Sequence, residues 1–159
     1  MEVIPNFIED KSIQDSIKSL LFGSSFDYYY LPNTIDGDNN YFFSHILHDG
    51  KTEHYSSHFQ NILIPLLGRL KFNYLLRAKV NCYPKRNENN KGNFHVDSPE
   101  PHMVGLYSVN SNNGHTLFED GTKVESVENQ MVIFDGSMKH CSVIQSDANI
   151  RVNVNINFR

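Results

Sequence analysis

At 159 residues the chain has the length of one domain with a substantial core, and it carries a net charge of −4 with no cluster of Lys and Arg, which argues against broad nucleic-acid binding. No apolar run approaches the length of a membrane span, and the start, Met1-Glu2-Val3-Ile4-Pro5, lacks the basic and apolar pattern of a leader. Two cysteines, Cys82 and Cys141, sit outside any CxxC or CxH spacing, so the expectation is a reduced, cytoplasmic protein without a zinc knuckle.

The N-terminal part reads as mixed, with helices. Asp10 is a candidate cap for a helix whose apolar stripe is Ile13, Ile17, Leu20 and Leu21. Phe26 to Leu31 is aromatic and expected to be extended. Asn33 to Asn40 is rich in turn formers and reads as a loop. Ser56 or Ser57 could cap a second helix whose stripe is Phe59, Ile62, Leu63, Leu66 and Leu67, with Pro65 predicting a kink or an earlier start.

From Leu75 onward the sequence reads as strands. Leu76, Ala78, Val80 and Cys82 alternate with Leu75, Arg77, Lys79 and Asn81. Further strands are predicted at Phe94–Asp97, Met103–Val109, His115–Phe118, Gln130–Phe134, His140–Ile144 and Ile150–Phe158. Loops are expected at Asn87–Asn93 and Asn110–Gly114, and Asp120-Gly121 signals a hairpin turn. The expectation is one α+β, mainly β domain over 1–159. Helical support would occupy about 1–72. A jelly-roll core (a cupin-like, double-stranded β-helix) would occupy about 73–159, with the helices packed on one sheet.

Two features carry chemistry. His95 and Asp97 are two residues apart, so on a strand both side chains would leave one face. His140, arriving from a distant strand, would complete two imidazoles and one carboxylate around a metal with open positions, the arrangement suited to a non-heme ferrous oxygenase. The second feature is the last strand, where Val152, Val154, Ile156 and Phe158 alternate with Arg151, Asn153, Asn155 and Asn157. The polar face either meets water or lines a polar cavity that holds an anion with Arg151; the histidines upstream favour the cavity. Among the remaining histidines, His102 lies in a local Pro-rich loop and His115 at a strand start. His45, His48, His54 and His58 read as helix or loop positions, and all six are expected to be structural.

The stretch from about Arg77 to Phe158 resembles the catalytic core of the 2-oxoglutarate- and Fe(II)-dependent dioxygenases, in particular the prolyl 4-hydroxylase-like branch. The resemblance rests on Asn81-Cys82-Tyr83-Pro84, a loop, then Phe94-His95-Val96-Asp97, and on Asn113-Gly114-His115-Thr116-Leu117-Phe118, where Asn113 replaces a Gly of the family pattern. It also rests on Val132-Ile133-Phe134 before His140, followed by Arg151 and an alternating terminal strand. The resemblance implies Fe(II) on His95, Asp97 and His140, and 2-oxoglutarate held through its distal carboxylate by Arg151, with O2 as oxidant and ascorbate as an auxiliary reductant. It further implies a hydroxyl donor at Tyr83 and another at Tyr107 or Ser108, according to strand register. Asn153 and Asn155 would line the co-substrate site and Asn157 the substrate pocket. The implied activity is hydroxylation of a C–H bond with release of succinate and CO2. A peptidyl proline is the first substrate suggested, and a small metabolite or a nucleic-acid base the alternative. A non-enzymatic binding module of the same fold is the remaining reading.

Overall fold

The Asp10 carboxylate accepts a hydrogen bond from the Ser12 amide at 2.8 Å, and this cap starts α1 (Lys11–Phe22). The computed structural model describes residues 1–35, 37, 38, 40–51 and 55–159. In α1, Ile17 and Leu21 are buried, as their four-residue spacing requires of one helical face. The second helix, α2 (Phe59–Leu67), buries Ile62, Leu63 and Leu66. Its cap position is His58 rather than a serine, but the Ser56 hydroxyl accepts from the His58 amide at 3.1 Å. Pro65 lies inside the helix, where it removes the bond its N–H would make to the Asn61 carbonyl, and the helix ends two residues later at Leu67.

Eleven strands are present among the described residues. Seven form one sheet: β1 (Glu2–Ile4), β9 (Gln130–Asp135), β6 (Met103–Ser108), β11 (Ile150–Phe158), β4 (Leu75–Pro84), β3 (Phe42–His48) and β2 (Tyr29–Leu31), in that spatial order. Four form the other: β5 (Asn90–Lys91), β10 (His140–Ile144), β7 (Asn112–Phe118) and β8 (Lys123–Ser126). All pairings are antiparallel. The hairpin expected at Asp120-Gly121 joins β7 to β8, with Gly121 at φ +88.

Three expectations are corrected. Phe94–Asp97 is not a strand; only His95 makes a bridge, to His140. The extended segment after Phe26 shrinks to Tyr29–Leu31. His45 and His48 lie on β3, not on a helix or loop. The N-terminal part is therefore more than helical support, since β1, β2 and β3 complete the larger sheet.

The larger sheet has two unlike faces. Ala78, Val80 and Cys82 of β4 and Val152, Val154, Ile156 and Phe158 of β11 pack with Ile17, Leu21, Ile62, Leu63 and Leu66 in the main core. Each of the Val, Ile, Leu and Phe side chains among them contributes ~1.5–3 kcal/mol through burial. The opposite face carries the alternating polar residues and confronts the smaller sheet. Two small apolar clusters close that inter-sheet space, one of Val104, Phe118, Val132 and Phe134, the other of Phe42, Tyr83 and Ile144. Among the described residues, no helix is long and apolar enough to cross a membrane.

Candidate metal centre

Strand pairing places the site. On β4 and β11 the opposed pairs are Tyr83 with Arg151, Asn81 with Asn153, Lys79 with Asn155, and Arg77 with Asn157. All eight side chains leave the face turned toward the smaller sheet, because alternate residues share a side. From the smaller sheet come His140 and Ser142 of β10 and Thr116 of β7, since Ser142 pairs with Thr116. His95 and Asp97 arrive on the segment between β5 and β6. The main chain fixes that segment: the His95 amide donates to the His140 carbonyl at 3.0 Å, and the His140 amide returns a bond of 2.9 Å.

His95, Asp97 and His140 each offer one ligand atom within 4.8 Å of the others. The His140 Nδ1 lies 3.0 Å from the Met138 carbonyl and the His95 Nδ1 lies 3.3 Å from the Asn93 carbonyl. A carbonyl only accepts, so each Nδ1 carries a proton and Nε2 is the ring atom left to ligate. Burial pushes the His140 pKa down, which favours the neutral, ligating form. The Asp97 side chain is 5% exposed. Burial raises its pKa, but the positive charge of Lys79 and the bonds from Asn155 and Asn157 outweigh that and hold it at about 2. The Nδ2 groups of Asn155 and Asn157 donate to Asp97 Oδ2 at 3.0 and 3.1 Å, and the Arg77 Nη2 lies 3.5 Å from Oδ1. Two imidazoles and a carboxylate with open positions form a donor set suited to a divalent transition metal.

Arg151 is 2% exposed. Its guanidinium reaches across to the smaller sheet, donating to the carbonyls of Val143 at 3.3 Å and His115 at 3.4 Å and to the Thr116 hydroxyl at 3.5 Å. These bonds are long, Nε has no partner, and among the described residues no carboxylate pairs with it. The Tyr83 ring lies 5.6 Å from the guanidinium carbon, and the Tyr83 hydroxyl accepts from Ser142 at 3.4 Å. A buried, uncompensated fork of donors fits the carboxylate of a small acid.

Several expected site residues sit elsewhere. Tyr107 faces the helix-side core, where its ring is 6.3 Å from Phe7 and its hydroxyl donates to Asn129 Oδ1 at 3.1 Å. Ser108 opposes Asn153 and so takes the site-side face, but the residue of β6 that lines the cavity is Leu106, opposite Asn155. Asn153 lines the cavity and accepts from Asn81 at 3.0 Å. Asn155 lines it too, but its amide is engaged with Asp97, and Asn157 is tied to Asp97 and Arg77 rather than lining the cavity. His102 and His115 bond locally, to the carbonyls of Glu100 and Asn113, and His45 bridges the Asp27 carbonyl and the Ser56 hydroxyl. His54 lies outside the described residues. The sequence reading missed Thr34, Phe42, Lys79, Thr116 and Ser142 as lining residues. Lys79 was within reach of it, two positions from Asn81 and four from Tyr83 on an alternating strand.

No family model and no curated protein sequence matches the chain. Solved structures do. The chain is similar to a 2OG-Fe(II) oxygenase family oxidoreductase from Burkholderia pseudomallei, with a TM-score of 0.71 and 12% identity over 98% of this chain and 84% of that one. It is similar to a prolyl hydroxylase from Trichoplax adhaerens in complex with a hypoxia inducible factor oxygen degradation domain peptide fragment, with a TM-score of 0.63 and 17% identity over 99% and 82%. It is also similar to an alpha ketoglutarate dependent epimerase, SnoN, from nogalamycin biosynthesis, with a TM-score of 0.64 and 11% identity over 99% and 76%. At these identities the shared property is the fold.

Proposed function

We propose that this chain is an Fe(II)- and 2-oxoglutarate-dependent dioxygenase, one domain over 1–159 with a double-stranded β-helix core, that hydroxylates a C–H bond with formation of succinate and CO2. The observation that carries the reading is the pairing of the His95, Asp97 and His140 cluster with the buried, uncompensated Arg151 across one inter-sheet space. The fold shared with 2OG-Fe(II) oxygenases supports it.

In this reading His95, Asp97 and His140 hold Fe(II), with Asn155 and Asn157 orienting the carboxylate. Arg151 grips the distal carboxylate of 2-oxoglutarate through its fork, and the Tyr83, Thr116 and Ser142 hydroxyls lie around that end of the pocket. When bound, the metal with 2-oxoglutarate and O2 supplies the oxidative decarboxylation and the C–H oxidation. The protein's own work is placement and exclusion of water: Phe42 and Phe134 wall the cavity, and no side chain is required as acid or base.

A peptidyl proline is the first substrate of this proposal, supported by the likeness to a prolyl hydroxylase that binds a peptide. A small metabolite is the second, supported by the likeness to an epimerase from nogalamycin biosynthesis. Two unpaired, buried thiols fit a reducing cytoplasmic setting, and ascorbate would serve as auxiliary reductant. Purified protein with Fe(II) and 2-oxoglutarate is expected to form succinate. His95→Ala or Asp97→Ala is expected to abolish it, and succinate formation unchanged in those variants would overturn the reading.

A further inference from the structure

Lys79 stands at a junction. It lines the cavity of the His-Asp-His cluster and also the adjoining open cleft walled by Tyr29, Leu31, Ser44, Ile46 and Arg77. Those residues share the site face of the larger sheet, since Ile46 opposes Lys79 and Ser44 opposes both Asn81 and Tyr29. The cleft is therefore a continuous approach to the metal cluster along β2, β3 and β4, with exposed apolar side chains: Tyr29 is 64% exposed and Ile46 56%.

The three basic residues of this face are not alike. Arg77 is engaged by Asp97 and Asn157. Arg151 lies at the Tyr83 end, four paired positions away from Lys79, or about 13 Å along the strands. Lys79 has no hydrogen bond and no ion pair among the described residues; its ammonium lies 6.0 Å from the centre of the Phe42 ring. Burial pushes its pKa down, and the Asp97 charge offsets that only in part. Ile46, Phe42 and Leu106 around it are apolar, so an uncharged side chain would cost less at this wall. Across the cavity and the cleft, three cations face two carboxylate residues, Asp97 and, on the exposed side of the cleft, Asp27. A ferrous ion and a 2-oxoglutarate dianion would cancel each other and leave the walls positive.

We propose that Lys79 anchors a carboxylate of the substrate, so that this site oxidises a carbon close to an acidic group presented along the β2–β3–β4 cleft. The inference rests on the dioxygenase reading above and names its substrate class. An ammonium offers three donors on a flexible stem, which suits an anion whose position differs between substrates better than a fixed fork would. The apolar cleft would take the substrate's neighbouring side chain.

The test uses the full chain loaded with Mn(II) and 2-oxoglutarate, and matched capped tripeptides: acetyl-Glu-Pro-Ala-amide and acetyl-Ala-Pro-Glu-amide against the same peptides with Gln or Lys for Glu. Broadening of the proline proton signals by the bound Mn(II) reads binding without turnover. The Glu peptides are expected to bind wild type about tenfold more tightly than their Gln matches, the scale of one charge-assisted contact. Lys79→Met is expected to erase that difference, and Lys79→Glu to transfer the preference to the Lys peptides. The Glu-against-Gln ratio is taken within each variant at saturating Mn(II) and 2-oxoglutarate, with loading read by their thermal shift, so that a change in cofactor affinity does not enter the ratio. Equal binding of Glu and Gln peptides by wild type, or a Glu preference that persists in Lys79→Met, overturns the proposal. Absence of any Mn(II) and 2-oxoglutarate shift in wild type would instead strike the dioxygenase reading itself.

Discussion

Replacing Arg151 by Met asks whether the buried guanidinium exists for a ligand. The side chain is 2% exposed, holds three bonds of 3.3–3.5 Å to neutral acceptors, and leaves Nε unpaired. Burying such a charge costs several kcal/mol. Three long bonds return roughly 1–2 kcal/mol in total. Met fills similar space without the charge, so the ligand-free variant is expected to be ~1–3 kcal/mol more stable than wild type. For a chain of 159 residues, that raises Tm by roughly 2–12 °C. Added Mn(II) with 2-oxoglutarate at a hundred times Kd should stabilise wild type by ~2.7 kcal/mol and the variant by far less, so the gap closes or reverses. Thermal unfolding followed by circular dichroism, with and without the pair, measures both quantities. A variant less stable than wild type without ligand, or one that keeps the full 2-oxoglutarate increment, would refute the reasoning.

Other perturbations have equally definite outcomes. Asn155→Ala or Asn157→Ala removes one donor from Asp97 Oδ2 and is expected to weaken Mn(II) affinity ~10–100-fold, read by calorimetry; affinity within twofold of wild type would count against the orienting role. Asn129→Ala strips partners from the Ile8 amide, the Ile8 carbonyl and the Tyr107 hydroxyl, and places Ala at φ 60; a loss of ~2–4 kcal/mol in urea unfolding is expected, and a loss under about 1 kcal/mol would contradict it. Burial pushes the Cys82 thiol up to about 11 from 9.0. A raised folded pKa means its stabilising contribution is complete below pH 9 and is lost as pH rises through 11, roughly 2–3 kcal/mol in all. Cys82→Val should flatten that alkaline limb of the stability curve, and a limb of unchanged steepness in the variant would dismiss the assignment.

Legibility followed the physics of each segment. Ile150–Phe158 was readable end to end because one face meets an apolar core and the other a polar cavity, so alternation is strict. The Asp10 cap and its apolar stripe marked α1 for the same kind of reason. Phe42–His48 was not readable: apolar side chains stand on both of its faces, so Phe42, Phe43, Ile46 and Leu47 show no period of two, and its two histidines suggested a helix or loop. The choice between Tyr107 and Ser108 needed the pairing of β6 with β11, which is long-range information. His95 and Asp97 were found by an argument about a strand face that the backbone does not support; what brings them in is the bridge to His140 and the amides of Asn155 and Asn157. Lys79 was visible in the alternation of β4, yet only the cavity shows why its charge matters.

The paired main-chain bonds between His95 and His140 have a consequence for which cation the protein acquires. Both imidazoles are locked in place by the folded backbone before any ion arrives, so capture demands little further ordering of the chain. A vessel shaped in advance, with two nitrogens, one oxygen and vacant corners, discriminates weakly among first-row dications, and nickel, cobalt or copper would bind it at least as tightly as iron. Which one would fill it is then settled by the supply of free metal around the folded chain, and protein purified from a foreign host is expected to carry that host's metal balance.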